Sequence, residues 1–139
     1  MKNLLQHLNE KNFFVSDIGS RGEKENYPDY AFAAAEKIIA GEFDFAILLC
    51  GTGAGMCISA NKVRGIRAVV CSEPYTARLS RQHNNAQILC LGARVVGAEL
   101  AKEIVDAFLA AEFEGGRHSE RVDLIANYEN AASADSAER

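Results

Sequence analysis

A chain of 139 residues, 48% hydrophobic and 24% charged, is long enough to bury one core without disulfides or metal staples. Its net charge of −4 and pI near 5.4 give no bulk attraction for nucleic acid, so a phosphorylated ligand has to be held by a few local arginines or helix N-termini. No apolar run, Phe45–Cys50 included, approaches the length a bilayer requires, and Met1-Lys2-Asn3-Leu4-Leu5-Gln6-His7 lacks a signal peptide's apolar stretch; the expected compartment is the cytoplasm, with neither membrane nor nucleic acid as partner.

In chain order, Leu4, Leu5 and Leu8 recur at helical spacing, and Phe13-Phe14-Val15 reads as a short strand closed by Asp17-Ile18-Gly19. Residues 19–29 form a polar loop. A second helix follows, with Ala31, Ala34, Ala35, Ile38 and Ile39 on its apolar face and Gly41 as its C-terminal cap. Phe45–Cys50 shows no alternation, which suits a strand covered on both faces of a parallel sheet. Gly51–Gly55 turns the chain, and Met56–Val63 begins another helix. The unit then repeats. Ala68–Cys71 is a buried strand, Ser72-Glu73-Pro74 opens a helix with a capping residue and proline near its start, and Ile88–Leu91 is the next strand. Leu100, Ile104, Val105, Phe108 and Leu109 mark a long helix; a last helix near Ser119–Asn130 carries Val122 and Ile125. Residues 1–130 read as one domain and 131–139 as a flexible polar tail. Strands alternating with helices predict a three-layer α/β/α sandwich around a Rossmann-like parallel sheet, whose ligands gather beyond the carboxyl ends of the strands.

Three stretches could carry chemistry. In Cys50-Gly51-Thr52-Gly53-Ala54-Gly55-Met56, three glycines in five positions let backbone approach a ligand, and the following helix aims free N–H groups into the turn, an arrangement suited to an anion or a developing oxyanion. The glycine spacing is not the dinucleotide fingerprint, and no Gly-Lys-Ser/Thr ends it as in a nucleotide-hydrolase loop. Cys50 precedes the turn, where a helix N-terminus can lower a thiol's pKa and supply a base or nucleophile; the plainer reading is a buried strand cysteine. Cys71 and Cys90 read as core and Cys57 as packing, and no Cys-x-x-Cys pair suggests zinc or redox chemistry. His83 closes a helix in Ser80-Arg81-Gln82-His83-Asn84 and could exchange protons near neutrality, although a helix-end histidine is ordinary. Arg117 and Arg121 stand i, i+4 at a helix start, an unfavourable end for cations unless they face a phosphate; the alternative is a solvated face paired with Glu120 and Asp123.

Taken together, these stretches resemble the ribose-5-phosphate isomerase B and galactose-6-phosphate isomerase family. The matching blocks are Tyr27-Pro28, Cys50–Lys62, Gly65-Ile66-Arg67-Ala68, Cys71-Ser72-Glu73-Pro74-Tyr75, Ser80–Asn84, Leu91–Gly97 and Glu114-Gly115-Gly116-Arg117-His118, in order along most of the chain. The resemblance implies an aldose–ketose isomerase interconverting ribose 5-phosphate and ribulose 5-phosphate through an enediolate, with no metal or cofactor. It makes Cys50 the base and Gly51, Thr52, Gly53, Ala54 and Gly55 the anion-stabilising loop. His83 becomes the ring-opening residue and proton donor, Asn84 a sugar contact, and Arg94, Arg117 and Arg121 the phosphate ligands. It also implies a homodimer or dimer of dimers whose site is shared between subunits. Two departures stand out: Cys57 replaces a usual serine, and Met1 aligns inside the first helix, so the family's first strand and its Asp-His pair are absent. The rival readings are a hexose-6-phosphate (allose or galactose) isomerase and a non-catalytic sugar-phosphate-binding subunit.

Overall fold

The computed structural model describes residues 2–20 and 25–139; of the predicted 19–29 loop, residues 21–24 lie outside the described residues. Helix α1 (Lys2–Glu10) is followed by α2 (Tyr27–Ile39), β1 (Ala46–Cys50), α3 (Ala54–Ala60), β2 (Ala68–Val70), α4 (Pro74–Asn84), β3 (Ile88–Gly92), α5 (Ala98–Ala110) and α6 (Arg117–Ala137). The strands form a parallel sheet in the order β1-β3-β2, with Cys50 opposite Gly92 and Val70 opposite Cys90. β3 is central and buried along its whole length, which explains why Ile88–Leu91 carries no polar residue.

Two cores flank the sheet and make the expected three layers. On one face Leu4 and Leu8 of α1, Ala77 of α4 and Ala101, Ile104, Val105 and Phe108 of α5 pack on Leu89 and Leu91. On the other, Ala31, Ala34 and Ala35 of α2 and Met56 and Ala60 of α3 pack on Leu48, Ala68, Ile88 and Cys90. Alanines on α2 let that helix lie close to the sheet. The α4 N-terminus is capped by Glu73, whose carboxylate accepts the Thr76 N–H at 3.0 Å, with Pro74 next to it. Arg81 is buried beneath α4, its guanidinium 4.6 Å from the Phe45 ring centre and bonded to the Ala86 carbonyl at 2.8 Å.

Several expectations need correction. Phe13–Val15 is not a strand: Asn12 turns into the left-handed region, Phe14 is 88% exposed and stacks on Phe43 at 6.1 Å, and the segment runs as coil. Among the described residues, β1 has no strand on the side away from β3. An apolar groove of about 630 Å³ lies there, bounded by residues 13–20, residues 42–50 and α2. The helix after the glycine turn runs from Ala54 to Ala60 and starts earlier than expected, because Gly53 (φ +82°) already caps it. The last helix starts at Arg117 and continues to Ala137 through the stretch read as a tail, since Ala131, Ala132, Ala134 and Ala137 are strong helix formers.

Candidate active site

The turn after β1 is built from backbone. Gly53, at positive φ, swings its N–H toward the Cys50 sulfur, 3.1 Å away, and its left-handed geometry starts α3. A side chain is barred at Gly53, where a Cβ would meet the Leu91 backbone at 2.9 Å, whereas one on Gly51 would have to displace the Arg94 guanidinium, 2.8 Å away, and one on Gly55 the Tyr27 hydroxyl, 2.5 Å away. Thr52 turns its hydroxyl to accept the Ala54 N–H at 3.3 Å. The loop is fastened to the strand beside it by Ala93 N–H to the Cys50 carbonyl, 2.8 Å, and Arg94 N–H to the Gly51 carbonyl, 3.0 Å. Cys50, the amide loop and Arg94 therefore share one ledge beyond the carboxyl ends of the strands.

The electrostatics single out Cys50 among the four thiols. Burial by itself would push it up, but the backbone N–H groups of Met56, Gly53, Thr52 and Gly55 together outweigh that and hold it below the ordinary thiol value. Burial pushes Cys71 up to about 11, and burial also raises Cys57 and Cys90. Cys57 donates to the Ala68 carbonyl at 3.4 Å, turned toward β2 and away from the amide loop. Asn61 bonds both backbone groups of Ala68, at 2.8 and 2.9 Å, and closes that corner.

The remaining predicted residues lie elsewhere. Arg67, just before β2, donates to the carbonyls of Asn84 and Asn85 at 3.0 and 3.1 Å, which puts the end of α4 at the amino ends of the strands. The full length of β3, roughly 13 Å of strand, separates His83 and Asn84 from the Cys50 ledge. Arg117 and Arg121 share the His83 end: the Glu114 N–H bonds the Gln82 carbonyl at 3.0 Å, and His118 stacks on His83 with ring centres 4.1 Å apart. α6 continues along that edge, where Arg64 bonds Asn130 and the Gly65 N–H bonds Glu129. Within one chain, then, Cys50, Thr52, Gly51, Gly53, Ala54, Gly55 and Arg94 come together at one end of the sheet, and His83, Asn84, Arg117 and Arg121 at the other.

Sequence reasoning gave no role to Glu114, His118 or Tyr27. The Glu114 carboxylate stands 3.4 Å from His83 Nε2, and with His118 these form the one group of potential metal ligands among the described residues. The signal was present in Glu114-Gly115-Gly116-Arg117-His118, where two glycines at positive φ fold the carboxylate back toward the histidine.

The sequence model of the family described as Ribose/Galactose Isomerase matches residues 1–125. Ribose-5-phosphate isomerase B of Escherichia coli is 55% identical over 88% of this chain and 83% of its own length. D-erythrulose-4-phosphate isomerase of Pectobacterium atrosepticum is 50% identical over 94% of this chain and 88% of its own. The crystal structure of Mycoplasma genitalium ribose-5-phosphate isomerase B with bound ribulose 5-phosphate superposes with a TM-score of 0.87 at 45% identity, covering 93% of this chain and 87% of that one. By sequence and by fold, this chain belongs to the ribose/galactose isomerase family.

Proposed function

We propose that the chain is an aldose–ketose isomerase acting on ribose 5-phosphate and ribulose 5-phosphate, working as a homodimer in the cytoplasm with each active site drawn from two subunits. The observation that carries the chemistry is the Cys50 sulfur 3.1 Å from the Gly53 N–H within a turn of converging amides. A proton on the carbon next to a carbonyl becomes removable when the oxygen that gains charge meets fixed donors, and this loop offers them without reorganisation. In the open-chain aldose the Cys50 thiolate takes the proton from C2 and the electron pair moves to O1. The enediolate forms against the amides of residues 51–55; transfer of the C2 hydroxyl proton to O1 and return of the proton held by Cys50 to C1 leave the ketose. Arg94, lying over Gly51, is placed to meet an anionic part of the substrate.

His83 opens the furanose ring in this reading, Asn84 contacts the sugar, and Arg117 and Arg121 hold the phosphate. None of these reaches the Cys50 ledge of its own chain, which favours their donation from a partner. The outward face of α6 supports that arrangement, since Leu124, Ile125 and Tyr128 lie together on it and are 67%, 54% and 80% exposed. No helix among the described residues is long and apolar enough to cross a membrane.

The direct test is to incubate the purified chain with ribose 5-phosphate and follow ribulose 5-phosphate. Turnover that disappears in Cys50→Ala while the ligand still binds supports the base; full activity in that variant overturns it. The similarity to a D-erythrulose-4-phosphate isomerase favours one second reading, a four-carbon substrate. A panel of tetrose, pentose and hexose phosphates compared by kcat/KM decides among them.

A further inference from the structure

We propose that His83, Glu114 and His118 form a binding site for a borderline divalent transition ion such as Zn²⁺, and that its occupancy shuts the enzyme down by engaging His83. Three ligand atoms, one from each side chain, lie within 4.8 Å of one another at the junction of α4 and α6. Zinc binds imidazole nitrogen and carboxylate oxygen at about 2.0–2.2 Å in a tetrahedron, which sets neighbouring donors roughly 3.3 Å apart. His83 Nε2 and the Glu114 carboxylate already stand 3.4 Å apart. The two imidazole rings stack within 8° of parallel, so one ring has to tilt for both to point at a single ion. His118 is the ring with room to do so: it is the second residue of α6, separated by Arg117 alone from Gly115 and Gly116, both at positive φ.

Two imidazoles and one carboxylate select zinc, copper or nickel over magnesium or calcium, which prefer all-oxygen sites. The fourth position faces solvent, because Glu114 is exposed and both histidines are partly so. Arg117 and Arg121 lie close enough to interact with His118 and oppose a dication, whereas Glu114 offsets one charge; the selectivity therefore falls on ions held by imidazole coordination rather than by charge alone. Binding is independent of the catalytic reading above; inhibition rests on the ring-opening role given to His83.

The test uses the full chain stripped with chelator and titrated with Zn²⁺ against a chelating indicator, with Co²⁺ as a spectroscopic substitute. The expected result is one ion per chain, weakened at least about tenfold by His118→Ala and by Glu114→Gln, and no binding of Mg²⁺. Co²⁺ should give visible bands of a nitrogen–oxygen site without a thiolate charge-transfer band. Isomerisation should fall with the same midpoint as binding, and His118→Ala should keep its turnover at the Zn²⁺ concentration that silences the parent. Binding unaffected by either substitution, or a thiolate band lost in Cys50→Ala, overturns the site. Binding that depends on Glu114 and His118 yet leaves turnover intact overturns the inhibition and the role of His83, and leaves the site standing.

Discussion

The two ends of the sheet are built by different means. At the carboxyl end the proposed working surface is main chain: a thiol at the tip of β1 and a run of amides and glycines, of which Gly53 admits no side chain. At the amino end it is side chains gathered from where α4 ends and α6 begins: His83, Asn84, Arg117 and Arg121. A surface made of backbone is fixed by the fold itself, so altering it disturbs chemistry and stability together. A surface made of exposed side chains can be altered residue by residue while the fold stays intact.

Substitutions at the two ends should separate these properties. The largest effect is expected from Cys50→Ala, which removes the proposed base and should lower turnover by about a thousandfold or more while ribose 5-phosphate still raises the melting temperature. Gly53→Ala comes next. A side chain at φ +82°, pressed against the Leu91 backbone and Val70, should cost about 1–3 kcal/mol in a denaturation curve and lower activity as the amides shift. At the other end Arg117→Ala should leave the melt within about 0.5 kcal/mol but raise KM roughly tenfold, with kcat less affected. An unfolded Arg117→Ala, or a fully stable and active Gly53→Ala, would erase the contrast.

The smallest effects concern protonation. Because the amides hold Cys50 below the ordinary thiol range, its thiolate fraction grows as pH rises through that lowered value, and the rising limb of kcat/KM should lie below the pH at which a free thiol titrates. In Gly53→Ala the limb should move to higher pH as the nearest amide is displaced. Brief alkylation at neutral pH, read by peptide mass, should label Cys50 ahead of Cys71 and Cys90, whose burial keeps them protonated.

Much of this was legible in the residues. Unbroken apolar runs at Phe45–Cys50 and Ile88–Leu91 marked parallel strands, of which β3 is fully covered and β1 only half-buried at the sheet edge, and Gly51, Gly53 and Gly55 marked the turn between β1 and α3. Phe13–Val15 misled because three apolar residues have no period to read; pairing decides whether such a stretch is a strand, and pairing is long-range. The separation of His83 from Cys50 was available yet easily overlooked. In a parallel β-α-β unit the helix leaves from the carboxyl ends of the strands and returns to the amino ends, so a residue closing α4 has to stand opposite one closing β1. Glu114 and His118 were hidden by ordinary chemistry: a glutamate and a histidine near a helix start mean little until two positive-φ glycines bring them beside His83.

Subunit mixing decides whether each active site is shared, with one half supplied from the carboxyl end of one chain's sheet and the other from the amino end of its partner's. Cys50→Ala and His83→Ala chains, each inactive alone, should recover activity when refolded together, because a mixed dimer carries one site with both native residues. Random pairing then predicts about a quarter of the parent's activity. A mixture that stays as inactive as its components, although mixed dimers are present, would contradict the shared site.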